Sequence, residues 1–315
     1  MSNIAANKDS TLLSRPVVGA IQVIASAVGY GLLGIFGKRA YEAGMKPGEL
    51  LALRFILAST ALWAYVLIAR RSVLRLSIRQ LLACVCLGVF GYAVFSTLYF
   101  RALEGLSASL TVLLLYTNPV IVTVGSWLLF KERVTRAQWL ALPVTLAGLV
   151  MLLWGGLSIG RPIAIVFALG SAIIYSAYIL ATSRLLSSVN PLAAGLYIMT
   201  AATVALVLWT PSALQRAHEL NGAAWGSITG LALISTVGPM VLFLMGLEKL
   251  TNTETSLLNA VEPVTATVAA AVLLGERLTL TQVMGGLLVL FALAISTLFR
   301  RSTALSKEIT HRTTH

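Results

Sequence analysis

Ten stretches of about 20 predominantly apolar residues leave this chain little choice of solvent, because a helix of that length spans the hydrocarbon core of a bilayer. They lie near 17–37, 48–69, 80–100, 108–130, 137–155, 162–182, 191–210, 224–246, 253–274 and 280–299. Hydrophobic residues make up 58% of the chain and charged ones only 11%, where soluble domains carry about a quarter. Inside lipid every backbone polar group must be satisfied within its own segment. Runs this long, without strand-like alternation, therefore predict helices and an all-α integral membrane protein.

The spans account for most of the 315 residues, leaving short loops, a tail over 1–16 and another over 300–315, and no room for a soluble catalytic domain. The polar first 16 residues precede a full-length span with no small-residue cleavage site, so the first helix is expected to be retained. The net charge of +12 does not point to nucleic acid, because the basic residues are scattered between apolar runs. With both termini in the cytoplasm, 15 Lys and Arg face inside and seven outside (Lys38, Arg39, Lys46, Arg101, Arg161, Arg216, Arg277), with Arg54 within a span. The positive-inside rule favours that orientation and an inner-membrane, multi-pass protein.

Sliding the chain against itself by 144 residues brings Pro47 onto Pro191, Pro119 onto Pro263, Glu104 onto Glu248, and Glu132-Arg133-x-Thr135-x-x-Gln138 onto Glu276-Arg277-x-Thr279-x-x-Gln282. From Leu98 to Val150 the register holds 18 identities in 53 positions, and apolar composition alone does not align prolines, acids and glutamines. The expected architecture is ten transmembrane helices arranged as two five-helix repeats, 17–155 and 162–299. Five is odd, so the second copy crosses the membrane upside down. Such an inverted repeat serves alternating access, with the binding site where the repeats meet.

The doubled signature of a mid-span proline followed 13 residues later by Glu-Arg (Pro119 with Glu132-Arg133, Pro263 with Glu276-Arg277), set in ten spans and a five-plus-five duplication, resembles the EamA-like family of the drug/metabolite transporter superfamily. The resemblance covers about residues 17–299. It implies a secondary transporter, often an exporter, of small metabolites such as amino acids, without fixing the substrate.

Polar residues deep in spans mark candidate sites. Glu262 precedes Pro263, and Thr255, Asn259 and Glu262 share one helix face at i, i+4 and i+7. The repeat mate of that face is Thr111, Leu115 and Asn118 beside Pro119, so two proline-broken stripes are expected to approach each other. Glu262 suits a substrate ammonium group or a transported proton; the alternative is a carboxylate that only locks the repeats together. Tyr92, Ser96 and Tyr99 form one hydroxyl and aromatic stripe, and Ser171, Tyr175, Tyr178 and Thr182 another, suited either to a cavity wall or to helix packing. Arg54 is a candidate for a substrate carboxylate, or a structural arginine. Lys38 sits at the outer mouth as a candidate ligand or an interfacial anchor. Tyr116, Ser256 and Trp63 are weaker candidates, and Glu104 and Glu248 are expected in tight turns.

Several chemistries lack their residues. Asp9 is the only Asp, and His218, His311 and His315 fall in a loop and the tail, so no metal site or cofactor is expected in the membrane. Gly29-Tyr30-Gly31-Leu32-Leu33-Gly34 spells a dinucleotide fingerprint but lies within an apolar span, where close helix packing or a hinge explains it. Cys84 and Cys86, two apart, point to different helix faces. The leading expectation is an exporter of amino acids, aromatic ones included, or related zwitterions, acting as a monomer with a small-molecule substrate, the lipid bilayer and protons as partners. The alternatives are a facilitator or exchanger for another metabolite or organic cation, a channel, and an intramembrane enzyme or scaffold.

Overall fold

The computed structural model describes residues 15–131, 136–154, 162–250, 255, 258, 259 and 261–292. Residues 1–14 of the expected N-terminal tail, the whole C-terminal tail, Glu132, Arg133, Thr135 and Ser256 lie outside the described residues. Among the described residues seven helices are long and apolar enough to cross a membrane: α1 (Pro16–Glu42), α2 (Pro47–Ala69), α3 (Ile78–Gly105), α4 (Ala108–Phe130), α6 (Pro162–Leu185), α7 (Pro191–Trp209) and α8 (Gly222–Leu247). Helix α5 (Arg136–Trp154) and two shorter apolar helices, α9 (Val261–Leu274) and α10 (Leu280–Ala292), lie at three further expected spans. Among the described residues there is no strand.

Local sequence accounts for the helix ends. Pro47, Pro119 and Pro191 stand in first turns, where a missing N–H costs nothing and φ is already helical. Ser77, Ser107, Asn190 and Asn221 cap α3, α4, α7 and α8 with side-chain oxygens. At Pro119 the span is broken, as its mid-span position led one to expect. The proline begins a second helical segment, so α4 consists of Ala108–Leu115 and Asn118–Phe130 separated at Tyr116 and Thr117. Helices α1 and α3 also run further than the apolar pattern implied, which places Lys38 and Glu104 inside helices. Glu104 lies in the last turn of α3 and pairs with Arg101 at 4.0 Å, not in a tight turn.

Two π-helical stretches, Leu87–Ala93 in α3 and Gly230–Val237 in α8, fall at corresponding positions under the 144-residue shift. A π stretch gives up the regular i→i−4 ladder and survives where function or packing holds it. Its presence in both copies is a structural trace of the duplication.

The repeats exchange partners. Helix α1 packs on α8 and α9, and α2 on α8, while α6 packs on α3 and α4, and α7 on α3. The mated pairs α2/α7 and α4/α9 also touch, which puts the pseudo-two-fold axis between them. Close approach depends on small residues, as in membrane helix pairs generally. A Cβ on Gly29 would lie 2.5 Å from Pro239, and one on Gly31 would lie 2.8 Å from the Glu262 carbonyl. The fingerprint-like glycines are thus packing residues, and α1 breaks between Gly31 and Leu33. The large apolar side chains left outside, such as Ile68, Phe90 and Val272, are those lipid would cover.

Candidate functional site

The residues of the site enter from seven helices, α1, α2, α3, α4, α6, α8 and α9. From α2, Arg54 is only 3% exposed. Its Nε and Nη2 donate to Thr236 Oγ1 at 3.0 and 2.8 Å, and the guanidinium lies 5.4 Å from the centre of the Phe100 ring. Thr236 belongs to the π stretch of α8, and its hydroxyl donates to the Leu231 carbonyl at 2.7 Å, so the irregular backbone fixes the acceptor that holds the arginine. The repeat mate of Thr236 is Tyr92, in the π stretch of α3, and Tyr92 too lies within electrostatic reach of Arg54, with Tyr30, Tyr99 and Tyr41. Among the described residues no carboxylate pairs with Arg54. A buried arginine is costly without partners, and here hydroxyl and aromatic groups surround it instead of an anion.

From α9, Glu262 is hydrogen bonded to Tyr116, at the break in α4, and to Asn259. The Asn259 Oδ1 is buried without a partner. Tyr99, Tyr175 and Tyr30 lie within electrostatic reach of the carboxylate. Between the two charged poles runs an aromatic wall. Phe95 stacks on Tyr175 with centroids 4.6 Å apart, Tyr92 lies 5.8 Å from Tyr178, Tyr175 stacks on Tyr178 at 6.0 Å, and Phe55 meets Tyr92 at 5.5 Å. Glu262, Tyr30, Tyr92, Tyr116, Tyr175 and Tyr178 are surrounded by protein yet retain accessible surface. Side chains combine those two properties when they line an internal chamber.

This chamber lies where the two helical repeats meet. The model of the EamA-like transporter family matches residues 17–154 and again 162–298. The chain belongs to the EamA-like transporter family. Its relatives include the Uncharacterized transporter YcbK of Bacillus subtilis, 26% identical over 88% of this chain and 92% of that one. An Uncharacterized transporter of Archaeoglobus fulgidus is 29% identical over 66% of this chain and 75% of its own. A crystal structure superposes with a TM-score of 0.61 over 90% of this chain and 98% of the other at 21% identity, a likeness of fold. This EamA-like protein is a membrane transporter.

The sequence-derived candidates divide by place. Glu262, Asn259, Tyr92, Tyr99, Tyr175, Tyr178 and Arg54 meet around the chamber, and Ser96 is buried on α3 beside them. Thr111 is buried with its hydroxyl donating to the Ser107 carbonyl at 2.8 Å, a bond within its own helix. Thr255 is buried on the approach to α9. Asn118 opens the second segment of α4, its carbonyl accepting from Ser176 at 3.3 Å; Tyr116, two residues earlier, is the group that reaches Glu262. Pro119 and Pro263 flank these polar positions. Lys38 is half-buried away from the aromatic wall, with Glu276 and Glu42 in electrostatic reach. Trp63 donates to Thr200 at 3.0 Å and ties α2 to α7.

Three groups escaped the sequence reading. Tyr30 sits between two glycines that let α1 approach α8 and α9 closely and so bring its ring to the site, and that spacing was its signal. Thr236 was visible as the mate of Tyr92. Phe95 lies between Tyr92 and Ser96 and reads as ordinary apolar filling until α6 is packed against it. Among the described residues no group of His, Cys, Asp and Glu could hold a metal ion.

Proposed function

We propose that this EamA-like protein is a ten-span secondary transporter of the inner membrane, with both termini in the cytoplasm. It moves small zwitterionic metabolites, amino acids first among them, outward by alternating access as a monomer. The observation that most supports the reading is the pair of buried opposite charges, Glu262 and Arg54, each held by uncharged partners and set on either side of one aromatic wall. A zwitterion satisfies both poles, its ammonium at Glu262 and its carboxylate at Arg54, while the tyrosines accept an apolar or aromatic side chain. Glu262 is also the group suited to carry a proton in exchange for substrate. A second reading, an organic cation held by Glu262 and aromatic faces, draws on the same wall but leaves Arg54 without a role.

The test is uptake of a panel of labelled amino acids into proteoliposomes, with and without an imposed proton gradient, comparing wild type with Glu262→Gln. Saturable flux abolished by the substitution supports the reading, and loss of gradient dependence alone assigns coupling to Glu262. Absence of flux for every amino acid from folded protein, with flux for a quaternary ammonium compound, transfers the site to organic cations.

A further inference from the structure

The two ends of the chamber are not equally closed. At the Lys38 end, the C-terminal half of α1 presses on the end of α3 and the start of α4. A Cβ on Gly34 would lie 3.0 Å from Ala108 Cβ, and one on Gly37 would lie 2.6 Å from Leu103 Cδ2. Tyr41 Oη donates to the Phe100 carbonyl at 2.7 Å, and Ala40, Phe100 and Leu103 are at most 1% exposed. At the other end the mates of these residues are less covered: Leu185, the mate of Tyr41, is 56% exposed, Leu244 and Leu247, the mates of Phe100 and Leu103, are half-buried, and Arg184, the mate of Ala40, reaches the Phe130 ring, 4.2 Å from its centre, across the exposed end of α6. Among the described residues, α6 makes no packing against α8 comparable to that of α1 against α3.

Two side-chain contacts cross between repeats at this closed end: Arg216 Nε lies 3.6 Å from Glu49 Oε2 at the start of α2, and Glu276 reaches the start of α4. After α9, Gly275 turns the chain with φ +66°, and the Glu276 N–H folds back to the Ala270 carbonyl at 3.2 Å. That turn delivers the Glu276 carboxylate to the start of α4, where Ala108 N–H donates to Oε1 at 2.6 Å, Ser109 N–H to Oε2 at 3.1 Å and Ser109 Oγ to Oε2 at 2.7 Å. These are charge-assisted bonds onto free helix N–H groups. They bind a turn of the second repeat to a helix of the first, and Lys38 stands within electrostatic reach.

We infer that Glu276 is the latch of a gate at the Lys38 end, and that the structure is caught with this end shut and the opposite end open. In the orientation proposed above, the shut end faces outside. For the chamber to open there, α1 must leave α3 and α4 and the Glu276 bonds must break. Glu276 thus sets the balance between the two states without touching substrate. The inference rests on alternating access, and its readout needs no substrate, so failure of the amino-acid assignment leaves it standing.

The test places a reporter Tyr178→Cys, at a half-buried position of the chamber wall, in a background with Cys84→Ala and Cys86→Ser. Labelling by a membrane-impermeant maleimide is followed from each face in right-side-out and inverted vesicles. The latch predicts labelling at least about tenfold faster from the open end in the parent, a difference of about 1.4 kcal/mol in accessibility. Glu276→Gln should shift labelling toward the Lys38 end by a comparable factor, and Ser109→Ala by less. Equal labelling from both faces in the parent, or an unchanged ratio in folded Glu276→Gln, overturns the inference. Should Glu276→Gln fail to fold, Gly34→Cys with Ala108→Cys decides. Their Cβ atoms are slightly closer than a relaxed disulfide prefers, so the pair needs only a small adjustment to oxidise. Oxidation should stop transport reversibly while open-end labelling persists. Transport that continues through the cross-linked protein refutes the gate.

Discussion

The two repeats agree where the backbone is shaped and differ where the chamber is lined. Pro119 and Pro263 and the π stretches of α3 and α8 are held in common, each marking where a helix starts or loosens, and the Glu-Arg pairs match in sequence. Across the chamber the match fails: Glu262 faces mate Asn118, Arg54 mate Ile198, Tyr92 mate Thr236, Tyr99 mate Phe243, and Tyr175 and Tyr178 have Gly31 and Gly34 as mates. A duplicated scaffold supplies two interconvertible halves, and the departures from symmetry give one site two unlike poles. The glycines belong to the same division. Helix α1 needs them to press against α8, α9 and α4, whereas α6, packed on α3 and α4, presents tyrosine rings at the corresponding positions.

The sharpest way to break the comparison is to move the charge to its mate. Glu262→Gln is expected to lower transport by about a hundredfold, the loss of about 2.7 kcal/mol, and adding Asn118→Glu should not restore it, because only the α9 position carries Asn259 and faces Tyr116. Recovery of flux in the double variant would mean the halves are interchangeable. Next in size, Arg54→Leu should cost about tenfold or more, expressed as a raised KM for zwitterions with quaternary ammonium binding spared; an equal loss for both ligand classes would make Arg54 a structural group.

The scaffold side of the comparison gives smaller effects. Gly31→Ala drives a methyl group to 2.8 Å from the Glu262 carbonyl, and overpacking of this kind costs about 1–3 kcal/mol. It should lower the thermal midpoint of detergent-solubilised protein, whereas Gly226→Ala, with nothing within 4 Å of its added Cβ, should leave it unchanged. Equal midpoints for the two would mean that α1 yields where the packing says it cannot. Tyr178→Phe is expected to change flux by no more than about threefold, since the ring carries most of the contact.

Much of this was legible in the chain because lipid makes hydrophobic length and helix geometry nearly equivalent. The spans, the register of the repeat and the neighbourhood of Glu262 follow from apolar runs, prolines and a 144-residue shift. The helix ends were less so: Lys38, Arg101 and Glu104 read as loop residues, yet α1 and α3 continue through them, since charged side chains can end in the interfacial zone while their backbones remain helical. The π stretches left no signal in the composition of Leu87–Ala93, because such loosening is set by the helices packed around it. The chamber itself was half-visible: its stripes could be read on α3, α6 and α9, but which faces meet depends on the exchange of partners between repeats, and Tyr30 and Thr236 enter only through that exchange.

The central claim is that a single site between the halves is exposed alternately to the two faces. Counterflow tests it most directly: proteoliposomes preloaded with an excess of unlabelled amino acid and diluted into a trace of the labelled form. The account predicts a transient accumulation of label inside above its external level, absent in Glu262→Gln. Label that only equilibrates, at a rate indifferent to the internal pool, would indicate a continuous pore and contradict it.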